Sequence, residues 1–148
     1  MQYTEGALGR VFVLRLQQGE PMPETLETFA LDKGITHAVA LMVGGVDADS
    51  RLVVGPEDGA ARPVNPMIAT VPGVCEVAGV GFLFPDEKGR PMLHMHAACG
   101  RGDRTVTGCI RAGVVTWQVL ELVVVELTGL HAARIPDPAT GFRLLQCE

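Results

Sequence analysis

The sequence predicts an α+β fold: a mixed, mostly antiparallel β-sheet with a flanking helix, in a single domain over residues 1–148. Three observations carry this. Short β-branched and apolar runs recur along most of the chain, separated by Gly, Pro and Asp turns. Only one stretch, beginning at Pro21, repeats its apolar residues at helical spacing. The order is a strand and a helix followed by hairpins, not strict strand–helix alternation, which favours antiparallel pairing.

At 148 residues, 47% apolar and 20% charged, the chain can bury a core of its own, and 18 glycines fit many tight turns. The longest apolar run, Val119 to Leu127, is broken by Glu121 and Glu126 and falls short of the roughly 18–20 residues a membrane span needs. The N-terminus lacks the basic head and apolar core of a signal peptide, so the expected location is the cytoplasm. Cys75, Cys99, Cys109 and Cys147 form no CxxC pair and are expected as free thiols there. A net charge of −5 argues against a surface built to neutralise many phosphates.

In order, Met1 to Gly9 is a lead-in and Arg10 to Leu16 the first strand. Met22, Leu26, Phe29 and Ala30 form the apolar stripe of a helix over Pro23 to Lys33, with prolines at its start and Gly34 just past its end. Thr36 to Val43 is a second strand ending in Gly44-Gly45. Asp47 to Asn65 is hairpin and loop, with a short strand at Arg51 to Val54. Strands at Pro66 to Thr70 and Val74 to Phe84 follow, the second carrying Glu76 and ending in a Pro85 to Gly89 turn. Arg90 to Cys99, a turn at Gly100 to Asp103, and Arg104 to Arg111 make a hairpin. Val114 to Leu127 has the near-continuous Val/Leu character of a strand covered on both faces. The tail, Arg134 to Glu148, holds a Pro136-Asp137-Pro138 turn and a last strand at Phe142 to Leu145. There is no internal repeat.

Metal-binding side chains gather at one place, Leu93-His94-Met95-His96 and Thr107-Gly108-Cys109. Side-chain direction in a strand repeats every two residues, so His94 and His96 share a face. A four-residue loop at Gly100 to Asp103 pairs Cys99 with Arg104, His96 with Thr107 and His94 with Cys109, bringing the thiol to the same face. Opposed Cβ atoms in such a ladder lie about 4.5–5.5 Å apart. Imidazole and thiolate donors on that spacing can converge on an ion at about 2.0–2.3 Å. Three donors and no fourth resemble a zinc site that keeps a position open; Ni²⁺ and Fe²⁺ suit the same ligands. Thr107 is expected as a hydrogen-bond partner of a ligand. Glu76 is expected nearby as orienter, fourth ligand or catalytic base.

Other polar residues read more simply. His37, in an apolar strand, is expected as a hydrogen-bonded core histidine, and His131 as solvated. Arg101-Gly102-Asp103 reads as a polar turn, Arg15 and Glu20 as a surface pair, and Trp117 and Phe12 as core.

Gly9-Arg10-Val11-Phe12-Val13-Leu14-Arg15-Leu16, Gly19-Glu20, Gly44-Gly45, Glu76-Val77, Leu93-His94-Met95-His96 and Gly108-Cys109, in this order, resemble the PPC (plants and prokaryotes conserved) domain family. The resemblance runs from about Gly9 to Leu145. It implies a stand-alone prokaryotic type that forms homotrimers, with a mixed sheet and flanking helices and a sheet similar to that of acetolactate decarboxylase, a zinc enzyme with histidine ligands. It also implies a metal motif of His-x-His followed by Gly-Gly-His. His94 and His96 match the first part, whereas the second reads Thr107-Gly108-Cys109, placing a thiol where a histidine is usual.

The resulting expectation is a trimeric metal-binding protein with a cleft for a small polar ligand. As an enzyme it would use the ion to polarise a carbonyl or activate water. The alternative is a DNA-associated regulatory protein, since members of the family are often labelled predicted DNA-binding proteins. In plant relatives that activity is associated with a basic AT-hook outside the domain, and this sequence contains no Arg-Gly-Arg-Pro hook.

Overall fold

The computed structural model describes residues 1–111 and 113–147. Its elements are β1 (Ala7–Gln17), β2 (Pro21–Met22), α1 (Glu24–Asp32), β3 (Ala38–Val46), β4 (Arg51–Pro56), β5 (Pro66–Thr70), β6 (Cys75–Pro85), β7 (Pro91–Arg101), β8 (Arg104–Ile110), β9 (Val114–Thr128), β10 (Ala132–Pro136) and β11 (Arg143–Cys147). Eight strands lie in the order β1-β9-β3-β6-β7-β8-β4-β5, β2 pairs with β9 off this path, and β10 and β11 form a separate hairpin. Every strand ladder is antiparallel. Among the described residues, parallel pairing is confined to one isolated bridge between Asp86 and Arg134. The predicted class, a mostly antiparallel sheet with one flanking helix, is the observed one.

Helix α1 agrees with the predicted span to within a residue at each end. Glu24 and Glu27 lie in its first turn, where the helix dipole favours negative charge. It ends in a Schellman motif: the Gly34 amide donates to the Leu31 carbonyl at 3.1 Å and the Ile35 amide to the Ala30 carbonyl at 2.8 Å. Its buried residues, Leu26 and Ala30, face the sheet, and the helix packs against β7.

The two faces of the sheet differ. On the helix side Ala38, Ala40, Met42, Leu83, Leu93, Met95, Leu122 and Val124 are buried in one core. On the opposite face Val13, Leu41, Val43, Val80, Phe82 and Val123 are apolar but exposed. Strand β9 is paired along both edges, by β1 and β3. Its burial nevertheless alternates, with Leu122 and Val124 buried and Glu121 and Val123 exposed. The expected cover on both faces is therefore not supplied within this chain; the near-continuous Val run faces the core on one side and open surface on the other.

The tail is more ordered than predicted. Strands β10 and β11 pair from Ala132–Cys147 to Pro136–Arg143, and only part of β11 was anticipated. Ile135 and Pro136 lack the length and periodicity that mark a strand; they pair with Leu144 and Arg143 on β11, next to the bridge between Arg134 and Asp86.

Candidate metal centre

Strand β7 is central among its neighbours, paired with β6 on one edge and β8 on the other. The hairpin turn between β7 and β8 is two residues long, not four. Gly102 has φ +61°, the positive value that a type II′ turn asks of its first central residue, so Arg101 pairs with Arg104. This slips the expected ladder by two residues. Cys109 faces His96 rather than His94, and Thr107 faces Ala98 rather than His96. A slip of two preserves the face, so the thiol still joins both imidazoles.

Their ligand atoms all lie within 4.8 Å of one another. An ion bound at about 2.0–2.3 Å from each donor calls for separations of roughly 3.3–3.8 Å. Modest side-chain rotation closes that difference. The imidazole rings are 5.1 Å apart between centroids and nearly perpendicular, at 74°. His94 is half-buried, His96 exposed and Cys109 buried, so the group has one open side. The donor set and spacing fit a divalent ion.

Two features fix these side chains. A Cβ on Gly108 would lie 2.6 Å from the Val53 carbonyl oxygen, so the glycine lets β4 approach β8 beside Cys109. On the other strand, the half-buried Glu27 carboxylate accepts the Leu93 amide at 2.8 Å, tying the residue before His94 to helix α1. Burial raises the Glu27 pKa, and the Leu93 hydrogen bond partly opposes it.

Desolvation and then the positive charges of Arg134, Arg111 and His96 push the His94 pKa down to about 4, leaving the imidazole neutral at pH 7. Burial pushes the Cys109 thiol up, while Arg111 and Arg134 favour its thiolate.

Glu76 is not at this group. It lies on the same face but pairs with Gly100, four residues along β7 from His96, a distance of about 13 Å at roughly 3.3 Å per strand residue. The expected carboxylate base, orienter or fourth ligand is therefore out of reach, and Thr107, opposite Ala98, is displaced from the partner role assigned to it.

Arginines occupy the ground expected of an acid. Two cavities flank the group. One, of about 440 Å³, is bounded by His94, Arg111, Arg134, Phe82, Phe142 and Leu144 among others. The second, of about 560 Å³, reaches His94, His96 and Cys109 and is bounded on its far side by Val53, Pro56, Arg62 and Phe142. Neither has an acidic lining residue among those described. Arg111 was legible in principle, since it stands two residues beyond Cys109 on the same alternation. Arg134 was not, because only the β10–β11 hairpin brings it to His94.

Elsewhere the sequence reading holds for His37, His131, the Arg101 turn and Phe12, whereas Arg15 and Glu20 form no described ion pair and Trp117 is half-buried and outside the core cluster. His37 bonds through Nε2 to the Ala132 carbonyl at 2.9 Å and through Nδ1 to Thr36 at 2.9 Å, with Phe84 edge-on at 5.3 Å between ring centroids. His131 is exposed. Arg101 donates to the Val74 carbonyl at 2.7 Å beside the hairpin turn. Arg15 pairs across the ladder with Glu121, while the Glu20 carboxylate accepts the Gln17 amide. Phe12 packs edge-on against Phe29 at 5.4 Å.

Comparison with known proteins extends the picture. A protein described as bifunctional GlmU, from Synechococcus sp. (strain JA-3-3Ab), is 29% identical over 142 residues, which are 94% of this chain and 21% of that protein. The chain thus spans about a fifth of the length of that curated relative. Several solved structures share the fold, among them the following three. A metal-containing protein of Archaeoglobus fulgidus is 22% identical with a TM-score of 0.84, over 97% of this chain and 98% of that one. A plant- and prokaryote-conserved protein of Pyrococcus horikoshii is 20% identical with a TM-score of 0.80, over 99% of both chains. A candidate DNA-binding protein of Ralstonia eutropha JMP134 is 20% identical with a TM-score of 0.66, over 92% of this chain and 90% of that one. The family model of the Plants and Prokaryotes Conserved (PCC) domain matches residues 3–128. That match covers most of the chain, and the chain belongs to the Plants and Prokaryotes Conserved domain family.

Proposed function

We propose that this protein holds one divalent metal ion at His94, His96 and Cys109, assembles as a homotrimer, and binds a small polar ligand beside the ion. The observation that carries the reading is the convergence of two imidazoles and a thiol within 4.8 Å on one sheet face with an open side. Zinc suits this donor set best, ahead of nickel and iron. The fold likeness to a metal-containing archaeal protein supports it.

A bound divalent ion supplies Lewis acidity or an acidified water. The chain supplies the rest. His94 stays unprotonated at neutral pH and free to donate its nitrogen lone pair. Burial holds the Cys109 thiol above its ordinary pKa, and the guanidinium groups of Arg111 and Arg134 partly offset this in favour of the thiolate. With no carboxylate on the cavity walls among the described residues, the site is better equipped to capture and polarise a ligand than to abstract a proton by a carboxylate base.

Assembly is supported by the exposed apolar sheet face, where Val13, Leu41, Val43, Val80, Phe82 and Val123 have no cover from their own chain. Four free cysteines favour a reducing compartment, in keeping with the cytoplasm. Among the described residues no helix is long and apolar enough to cross a membrane.

Elemental analysis of the purified protein tests the metal: one ion per chain is expected, reduced to background by His94→Ala. Absence of stoichiometric metal from the wild type sinks the reading. Light scattering is expected to give the mass of three chains, and a monomer would count against assembly.

A nucleic-acid-associated role is the second reading, favoured by the fold likeness to a candidate DNA-binding protein and opposed by the net charge of −5. Gel-shift titration at two salt concentrations separates the two readings, since phosphate contacts make affinity fall steeply with salt. No shift at micromolar protein removes the second.

A further inference from the structure

Arg134 is only 6% exposed, yet its Nε has no hydrogen-bond partner among the described residues. A buried guanidinium N–H without a partner is costly, and native proteins rarely leave one so unless a water or a ligand completes it. The described ion pairs are Arg10 with Glu126, Arg90 with Asp86 and Arg143 with Glu87; Arg134 and Arg111 are in none of them. Asp86 is bridged to Arg134 through the backbone, but its carboxylate is already engaged. One oxygen accepts the Lys88 and Arg90 amides and the other the Arg90 guanidinium.

These two cations, whose described polar neighbour is the Cys109 thiol and no carboxylate, line one cavity with His94, in a chain whose net charge is −5. The Phe84 ring lies 5.9 Å from Arg134 Cζ and seats the guanidinium. The remaining wall is largely apolar, with Phe82, Met92, Phe142 and Leu144. A volume of about 440 Å³ is in the range of small-molecule sites.

We propose that this cavity is a binding site for a small organic carboxylate, with its head group on Arg134 and Arg111 facing His94 and its apolar body against Phe82, Phe142 and Leu144. A planar carboxylate matches the guanidinium fork in two parallel hydrogen bonds. A phosphate would call for the backbone-amide nest or additional cations that phosphate sites gather, and the third arginine on this wall, Arg143, is paired with Glu87. Arg134, Phe142 and Leu144 all lie beyond residue 128, where the family match ends, so one side of the pocket is built by the C-terminal segment of this chain. The proposal rests on the metal reading for what the head group faces, and on the arginines alone for binding.

Isothermal titration of zinc-loaded and chelator-stripped protein tests it, with hexanoate, hexanamide and inorganic phosphate as probes. Hexanoate is expected to bind both forms. Hexanamide, Arg134→Gln and Arg111→Gln are each expected to weaken binding roughly ten- to a hundredfold, the scale of a lost charge-assisted hydrogen bond. Because Arg134 is buried, circular dichroism accompanies its variant; the exposed Arg111 supplies the test if Arg134→Gln does not fold. Equal affinity for hexanoate and its amide, or no binding of either, overturns the proposal. Tighter binding of phosphate than hexanoate overturns the carboxylate assignment. A protein that carries metal but ignores hexanoate fails this inference alone, and one that binds hexanoate but never holds metal fails the metal reading alone.

Discussion

Cys109 stands directly across the β7–β8 ladder from His96, with His94 on the same face two residues along β7. The thiol is thus the buried anchor of the group and His96 its exposed arm. Substituting Cys109 should change the identity of the ion's environment more than the fold around it. In cobalt-loaded protein the wild type is expected to show a thiolate-to-metal charge-transfer band. Cys109→His should lose that band and keep one ion per chain, while Cys109→Ala should weaken metal binding roughly tenfold or more. An unchanged spectrum in Cys109→His would remove the thiol from the ligand set.

Gly108 admits the Val53 carbonyl where any side chain would collide at 2.6 Å. Gly108→Ala should therefore part β4 from β8 and tilt Cys109, at an expected loss of about 1–3 kcal/mol. Urea unfolding measures the first effect and metal titration the second. A variant with wild-type stability and affinity would show that the strand contact does not hold the site.

Glu27 separates hydrogen bonding from charge. Glu27→Ala strips the Leu93 amide of its acceptor and should lose about 1–3 kcal/mol. Glu27→Gln keeps an acceptor oxygen and removes the desolvated charge. Because burial raises the folded pKa above 4.5, the native state holds this proton more tightly than the unfolded chain. The resulting stabilisation is complete below pH 4.5 and is lost as pH rises through the folded value. Thermal melts between pH 4 and 8 should therefore show Glu27→Gln gaining on the wild type as pH rises, and parallel curves would contradict the assignment.

The outward sheet face makes a prediction about mass. Leu41 is 51% exposed in the isolated chain, so Leu41→Lys should leave the monomer's own stability within about 0.5 kcal/mol. Within a trimer that buries this face, the same charge should dissociate the assembly. Light scattering of the variant at the mass of one chain, with an unchanged circular dichroism spectrum, is the expected result; an intact trimer would place the interface elsewhere.

Much of this protein is local and therefore legible. The stripe of Leu26, Phe29 and Ala30 with Gly34 beyond it specifies a helix through its own periodicity and capping, and α1 forms there, while Met22, counted in the same stripe, lies in β2. The alternation through Leu93-His94-Met95-His96 places both histidines on one face regardless of what surrounds them. Cys109 reached that face even under a wrong turn length, because the error was two residues and side-chain direction has period two.

Distance along a strand has no such protection. Glu76 has the same parity as His96 and was expected beside it, but pairing with Gly100 carries it four residues away. Neither the position of Arg134 nor the cavity it lines could be read from its neighbours in the chain, since both depend on the β10–β11 hairpin folding back over β6 and β7. The sequence by itself determined which side chains share a face. Only the tertiary structure decided which of them meet, because that depends on register and on the return of a distant segment.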